Sequence, residues 1–352
     1  MAMNTPVRIM PAEEIATRAA GNIQFLRHPD AATVFAERAM RLRQLAAGHT
    51  MGDFLKFAAL LAAEQQVRLA AFPQVPIPDA AALDRAALAG LPPLPASEWP
   101  RADAWRDSLR ALATGVAAQV QGDAHATLTR IAAASDDWLE QQADALLTGV
   151  MHGVDLAAAP VVGAALQVYW THLLLATRAS RTGKDEPFGR IADEGACPCC
   201  GSRPTASVTR TSGESLGQRY LHCSLCSLEW HMVRIRCTHC LGSKHVAYQS
   251  LDRADEEGAE RDDSVAGAEA ASRRAAQAAV QVETCDDCHH YLKIVHTDRD
   301  PMVDPVADDL GSVTLDLLVS DAGLQRHGVN LLLLFGDPGP EPVPRPPEEE
   351  GP

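Results

Sequence analysis

Through the first half of the chain apolar residues recur at helical spacing. Phe35, Ala39, Leu42 and Ala46 fall three or four residues apart, the repeat that lines one face of an α-helix, and Gly48 supplies a stop. A second helix is expected to start with Asp53 as its N-cap, to carry Phe54, Phe57, Ala58 and Leu61 on one side, and to end before Pro73. After a proline-rich connection the pattern returns at Trp105, Leu109, Leu112 and Val116, and Ser135 followed by Asp136 and Asp137 reads as another helix start. Residues 156–177 contain no Asp, Glu, Lys or Arg and are long enough to cross a bilayer. Pro160, Gln167 and His172 interrupt that run and much of the rest is alanine, a composition that suits a central helix enclosed by others.

The helical repeat stops near residues 180–188, where Arg, Lys, Gly and Pro cluster without a period. Beyond it, short β-prone runs at 218–221, 228–236, 245–250 and 291–296 read as strands, and residues 306–322 read as one closing helix with Leu310, Val313 or Thr314, Leu317 and Leu318 on a shared face. Residues 252–269 hold eight acidic and two basic residues, and residues 338–352 hold seven prolines with Glu348 to Glu350; both compositions favour a solvated chain. The fold class expected is therefore α+β. An all-α bundle spans residues 1–185, a β-ribbon domain spans 186–335 with an acidic insertion at 252–269, and a Pro/Glu-rich tail spans 336–352.

At 46% hydrophobic residues the chain can bury a sizeable core. Its formal charge of −15 argues against nucleic acid or an anionic membrane as partner, since both are polyanions that are bound largely through Lys and Arg. Residues 197–250 hold six Lys or Arg against two Glu, so only local nucleic-acid contact would be conceivable. The opening residues do not read as a secretory signal, which implies a reducing, cytoplasmic setting. No catalytic triad, phosphate loop or carboxylate pair stands out, and Asp308 and Asp309, adjacent on a helix, must diverge in direction. No catalytic residue is therefore named.

The chemistry lies in cysteine. All nine fall between Cys197 and Cys288, and eight form four CxxC pairs: Cys197/Cys200, Cys223/Cys226, Cys237/Cys240 and Cys285/Cys288. A CxxC turn puts two sulfurs on one side of a knuckle, and two facing knuckles make the tetrahedral four-sulfur cage that zinc or mononuclear iron takes. Sequential pairing gives one site from Cys197, Cys200, Cys223 and Cys226 and a second from Cys237, Cys240, Cys285 and Cys288; an interleaved cross-brace is the rival. The 22 residues between the first two knuckles allow a hairpin to bring them together. The ten between Cys226 and Cys237 read as one extended strand that can hold knuckles apart by up to about 33 Å. Two independent ribbons sharing a connecting strand are expected. Arg219, Arg234, Arg236 and Lys244 are placed to offset the net −2 charge of such sites, and Gly201 relieves the backbone behind the first knuckle. Cys199 is a spare thiol, buried or redox-active, and His222, His231, His239, His289 and His290 are substitute ligands that eight cysteines make unnecessary.

The segments CPCCGSRP, RYLHCSLCSLEWHMVRIRCTHC, CDDCHHYLK and ADDLGSVTLDLL, with PVRIMPAEEI, FAERAMRLRQLA and GDFLKFAALLA nearer the start, resemble in order and spacing the motifs of the formate dehydrogenase accessory protein FdhE family. The resemblance covers nearly the whole chain. It implies a non-enzymatic, cytoplasmic, chaperone-like maturation factor that contacts the catalytic subunit of a respiratory, molybdenum-dependent formate dehydrogenase before Tat export. It also implies two iron ions per chain in rubredoxin-like sites, where spacing alone leaves zinc equally open. A homodimer is a further candidate assembly, and electron transfer or thiol/selenol reduction on the same client is the alternative activity. Cys199 replaces a residue that is usually apolar in that family, and the 44 residues between Cys240 and Cys285 are longer than its pattern.

Overall fold

The computed structural model describes residues 23–181, 186–212, 215–250 and 277–333; the acidic tract at 252–269 and the proline-rich end at 338–352 lie outside them. Among the described residues the chain begins with helices α1 (Val34–Leu45), α2 (Gly52–Ala70), α3 (Ala80–Ala89), α4 (Ala104–Ala117), α5 (Gly122–Ala132), α6 (Asp136–Thr148) and α7 (Ala159–Ser180). Ser135 caps α6, its hydroxyl accepting from the Trp138 amide at 3.3 Å. Asp79 caps α3 through the Ala82 amide at 2.7 Å, in a stretch that reads from sequence as proline-rich connection. Asp53 is not a cap: α2 starts at Gly52, so Asp53 lies in its first turn, where its charge favours the helix N-terminus and meets Lys56 at 3.0 Å.

Helix α7 is the hub. Leu166, Tyr169, Trp170, Leu173 and Leu174 on it are buried, and 78% of its most apolar window is enclosed by the protein. This helix is long and apolar enough to cross a membrane, yet here it is the axis of a protein core, where each buried large side chain stabilises by about 1.5–3 kcal/mol. The buried Gln167 side chain accepts from Gln65 of α2 at 2.9 Å and donates to the Ser224 carbonyl at 2.8 Å. Buried polar groups need such partners, and these tie the bundle to the second CxxC knuckle.

The strands are β1 (Leu26–Arg27), β2 (Pro204–Ser212), β3 (Ser215–Cys223), β4 (Glu229–His231), β5 (Val246–Gln249), β6 (Val280–Cys285), β7 (His290–His296) and β8 (Gln325–Arg326). They form one sheet in the order β1-β4-β3-β2-β7-β6-β5, with β8 on β7. Two antiparallel ribbons, β2-β3-β4 and β5-β6-β7, are joined by parallel pairing of β2 with β7 from Ser207↔Ile294 to Thr209↔His296. This corrects the expectation of independent ribbons linked by a long strand. Only Glu229–His231 of the 228–236 run is extended, and the Arg236 amide turns back to the Val233 carbonyl at 3.1 Å.

The single closing helix expected at 306–322 is two, α8 (Pro305–Leu310) and α9 (Val313–Asp321). Asp304 caps α8 through the Val306 and Ala307 amides at 3.0 and 2.8 Å. The break falls where Gly311 passes Leu45 of α1 so closely that a Cβ would lie 3.1 Å from its methyl, and where the Ser312 hydroxyl donates to the Asp308 carbonyl. The break rotates α9, so Leu315 and Val319 face inward while Leu317 and Leu318 are exposed. Asp308 and Asp309 do diverge, but into the interior. Asp308 takes the Arg41 guanidinium at 2.6 Å, and Asp309 meets Arg326 at 2.7 Å, Asn330 at 2.8 Å and the buried Lys293 ammonium at 3.2 Å.

His296, at the β2–β7 seam, gives the fold a pH dependence. Its Nε2 donates to the Gln281 side-chain oxygen at 2.8 Å, and burial lowers its pKa to about 4. A histidine that ionises near 6.5 when unfolded and near 4 when folded stabilises fully above 6.5, and that stability drains as the pH falls through the window. Guanidinium midpoints at pH 7.5 and 5.5 should therefore differ more for the parent chain than for His296→Gln. Equal differences would remove His296 from the account.

Candidate metal centres

Each CxxC pair sits on a tight turn at the end of a ribbon strand. Cys223 ends β3 and Cys285 ends β6, and their registers bring them opposite Pro204 and Val246, just beyond the other knuckle of each ribbon. In three knuckles the amide after the second cysteine bonds to the carbonyl of the first: Gly201 to Cys197 (2.8 Å), Leu241 to Cys237 (3.1 Å) and His289 to Cys285 (2.9 Å). In all four, the residue after the second cysteine is left-handed: Gly201 (φ 74°), Ser227 (59°), Leu241 (60°) and His289 (54°). Sequence reading identifies this position only at the glycine. Among the described residues the other three are the non-glycine residues of positive φ, a conformation that costs about 1 kcal/mol or more and that clusters at functional sites.

The knuckles meet in the sequential pairing. The four sulfurs of Cys197, Cys200, Cys223 and Cys226 lie within 4.8 Å of one another, as do those of Cys237, Cys240, Cys285 and Cys288. The contacts repeat: Cys197–Cys226 at 3.6 Å and Cys200–Cys223 at 3.5 Å, then Cys237–Cys288 at 3.7 Å and Cys240–Cys285 at 3.8 Å. A metal–sulfur bond of about 2.3 Å in a tetrahedron demands sulfur–sulfur edges of about 3.8 Å, whereas a disulfide needs about 2.05 Å. The donor sets thus fit a four-coordinate thiophilic ion. Backbone amides already serve the sulfurs, with Leu225 and Cys226 both donating to Cys223 at 3.4 Å. Two four-cysteine clusters able to hold metal ions stand on one sheet.

Their settings differ. Every sulfur-bearing residue of the first cluster is buried, along with Cys199, and all belong to the main core with Leu166, Trp170, Leu225, Leu228 and Trp230. The segment leading from α3 to α4 docks on it, the Leu94 and Ala96 amides donating to the Cys199 and Cys200 carbonyls at 3.0 and 2.9 Å. Burial pushes the Cys199 thiol up to about 11, the state of an inert core thiol rather than a reactive one. In the second cluster Cys240 is exposed and Cys288 half-buried.

Charge follows the same division. Burial pushes Cys197 and Cys226 well above the usual thiol range; it acts on Cys200 too, but hydrogen bonds from Cys197, Cys223 and Cys226 outweigh it and hold Cys200 well below. In the second cluster the Gly242 amide holds Cys240 down while burial raises Cys237 and Cys288. In each cluster the second cysteine of the earlier pair is held below the usual thiol range.

Arg219 does not offset the sulfurs as expected. Its buried guanidinium crosses from β3 to the other ribbon, meeting Glu283 of β6 at 2.5 Å and donating to Ser207 (3.0 Å), the Val233 and Arg236 carbonyls (3.3 and 3.0 Å) and Thr238 (2.7 Å) inside the third knuckle. Arg236 likewise turns to Glu194 at 2.6 Å. No periodicity marks Arg219 as the joint between the clusters, because its partners lie 12 to 64 positions away.

Family models for the FdhE N-terminal, central and C-terminal domains match residues 23–184, 196–234 and 235–333. Protein FdhE of Escherichia coli K12 and a FdhE homolog of Klebsiella pneumoniae are each 35% identical over 337 residues, covering 94% of this chain and 99% of theirs. The crystal structure of FdhE from Pseudomonas aeruginosa aligns at a TM-score of 0.73 and 37% identity, over 89% of this chain and all of the other.

Proposed function

The chain belongs to the FdhE family, and from that premise we propose that it is a cytoplasmic, non-enzymatic assembly factor for formate dehydrogenase. Its client is the catalytic subunit that carries molybdenum cofactor and leaves the cytoplasm folded by the Tat route. The observation that carries this reading is the ordered match of all three family domains, with both four-sulfur clusters assembled. In this reading Cys197, Cys200, Cys223 and Cys226 ligate one iron, and Cys237, Cys240, Cys285 and Cys288 ligate another. The domain division falls near residue 185, and the ribbon half presents the client-binding platform.

A second reading is favoured by one feature. The exposed Cys240 gives the second cluster a route for electrons, which suits rubredoxin-like reduction of a thiol or selenol on the same client. It requires iron, so zinc in both sites ends it. The assembly reading is tested in a host lacking its own copy of this gene. Formate dehydrogenase activity should be lost, return with this chain, and stay lost with Cys223→Ser. Undiminished activity without the gene would contradict it.

A further inference from the structure

Beside the second cluster lies a group of imidazoles that the two four-sulfur sites leave unused. One nitrogen each of His239 and His290 and the sulfur of Cys288 lie within 4.8 Å of one another. The two rings are stacked, 3.6 Å between centroids and 7° apart in plane, and His327 stands edge-on to His239 at 5.3 Å. Both ring nitrogens of His327 are enclosed and, among the described residues, lack a hydrogen-bond partner. The Nδ1 of His290 lies 2.7 Å from the Cys288 carbonyl, where it can only donate. That fixes the tautomer and leaves its Nε2 lone pair free, the arrangement by which a backbone carbonyl orients a metal-binding histidine.

We infer that His239, His290 and Cys288 form a third cation site, which takes a borderline divalent ion such as zinc or cobalt and shares the Cys288 sulfur with the second four-sulfur cluster. The donor set of two imidazoles and a thiolate suits such ions. Three protein ligands leave a coordination position open, with His327 at its margin, as sites that bind an exchangeable water or ligand do. Charge favours the arrangement: four thiolates around one divalent ion carry a net −2, and a second divalent ion on a shared sulfur cancels it. Access favours it as well, since His239 is exposed whereas the buried first cluster has no such entry. To bind, the stacked rings must tilt so that both in-plane lone pairs reach one ion, and the ligand atoms must draw together by up to about 1.5 Å, given metal–nitrogen and metal–sulfur bonds of about 2.0 and 2.3 Å.

The inference rests on the second cluster holding its own metal. Full-length protein loaded anaerobically with zinc, then gel-filtered into metal-free buffer, should retain two zinc ions per chain. Cobalt(II) titrated into it should add one equivalent, with ligand-field absorption of a nitrogen- and sulfur-bound ion, while zinc content stays at two. The variants His239→Ala and His239→Ala/His290→Ala should keep two zinc ions and an unchanged circular dichroism spectrum but bind that cobalt at least tenfold more weakly. Saturation at two ions in the parent chain, or an unaltered third equivalent in the double variant, overturns this inference and leaves the four-sulfur sites standing. Fewer than two retained metal ions per chain, iron and zinc counted together, overturns both.

Discussion

Cys223→Ser is expected to lose one of two tightly held metal ions and to lower the global unfolding midpoint by about 10 °C or more, whereas Cys240→Ser loses one ion with a shift of only a few degrees. The asymmetry comes from where the cages sit. Cys223 is 1% exposed, and its sulfur shares a core with the knuckle residues Leu225 and Leu228 and with Leu166 and Trp170 of the central helix. Opening that cage exposes unpaired polar atoms to the apolar centre of the molecule, and the Gln167 bond to the Ser224 carbonyl and the docking of Leu94 and Ala96 depend on the same turns. Cys240 is exposed, so water can replace what its loss removes. Metal content and thermal unfolding followed by circular dichroism read both halves, and equal shifts for the two variants would refute the division.

Arg219→Met should destabilise the chain by about 3–5 kcal/mol, the usual result of removing one partner from a buried ion pair. Glu283, 4% exposed, would be left with the Ser207 hydroxyl as its hydrogen-bond donor, and the turn carrying Thr238 would lose its anchor. The second cage should then release its ion to a chelator faster than the first. Replacing both partners, Arg219→Met/Glu283→Leu, should recover much of the stability, since two apolar groups leave no stranded charge. Guanidinium unfolding of the four members of that cycle measures it; a double variant as unstable as the single one would show that packing, not charge, sets the cost.

The helical half was legible where a helix buries a long apolar face, as α1 and α4 do, but not at α5, which buries only Leu128 and Ile131. Trp105, Leu109, Leu112 and Val116 mark α4 correctly because all four are interior, and Ser135 marks the start of α6 because an N-cap is a local hydrogen bond. Helix α3 was concealed: it is ten residues long and buries Leu83 alone, so it has little stripe to show. The eight paired cysteines and their grouping could be read because CxxC spacing is itself the geometry of a knuckle. What could not be read is lateral. The parallel union of β2 with β7 and the span of Arg219 join residues about 60 to 90 positions apart, and neither leaves a period in the sequence. The left-handed turns at Ser227, Leu241 and His289 were hidden for another reason: the residues there are not those the conformation favours, which places the cause in the cage they serve.

The account depends on two caged ions in one sheet. Protein purified without oxygen and passed into metal-free buffer, then examined by elemental analysis and X-ray absorption, tests this directly. Two ions per chain, each surrounded by four sulfurs at about 2.3 Å, is the result expected. Sulfurs joined in disulfides at about 2.05 Å, or a folded chain that retains no ion, would contradict it.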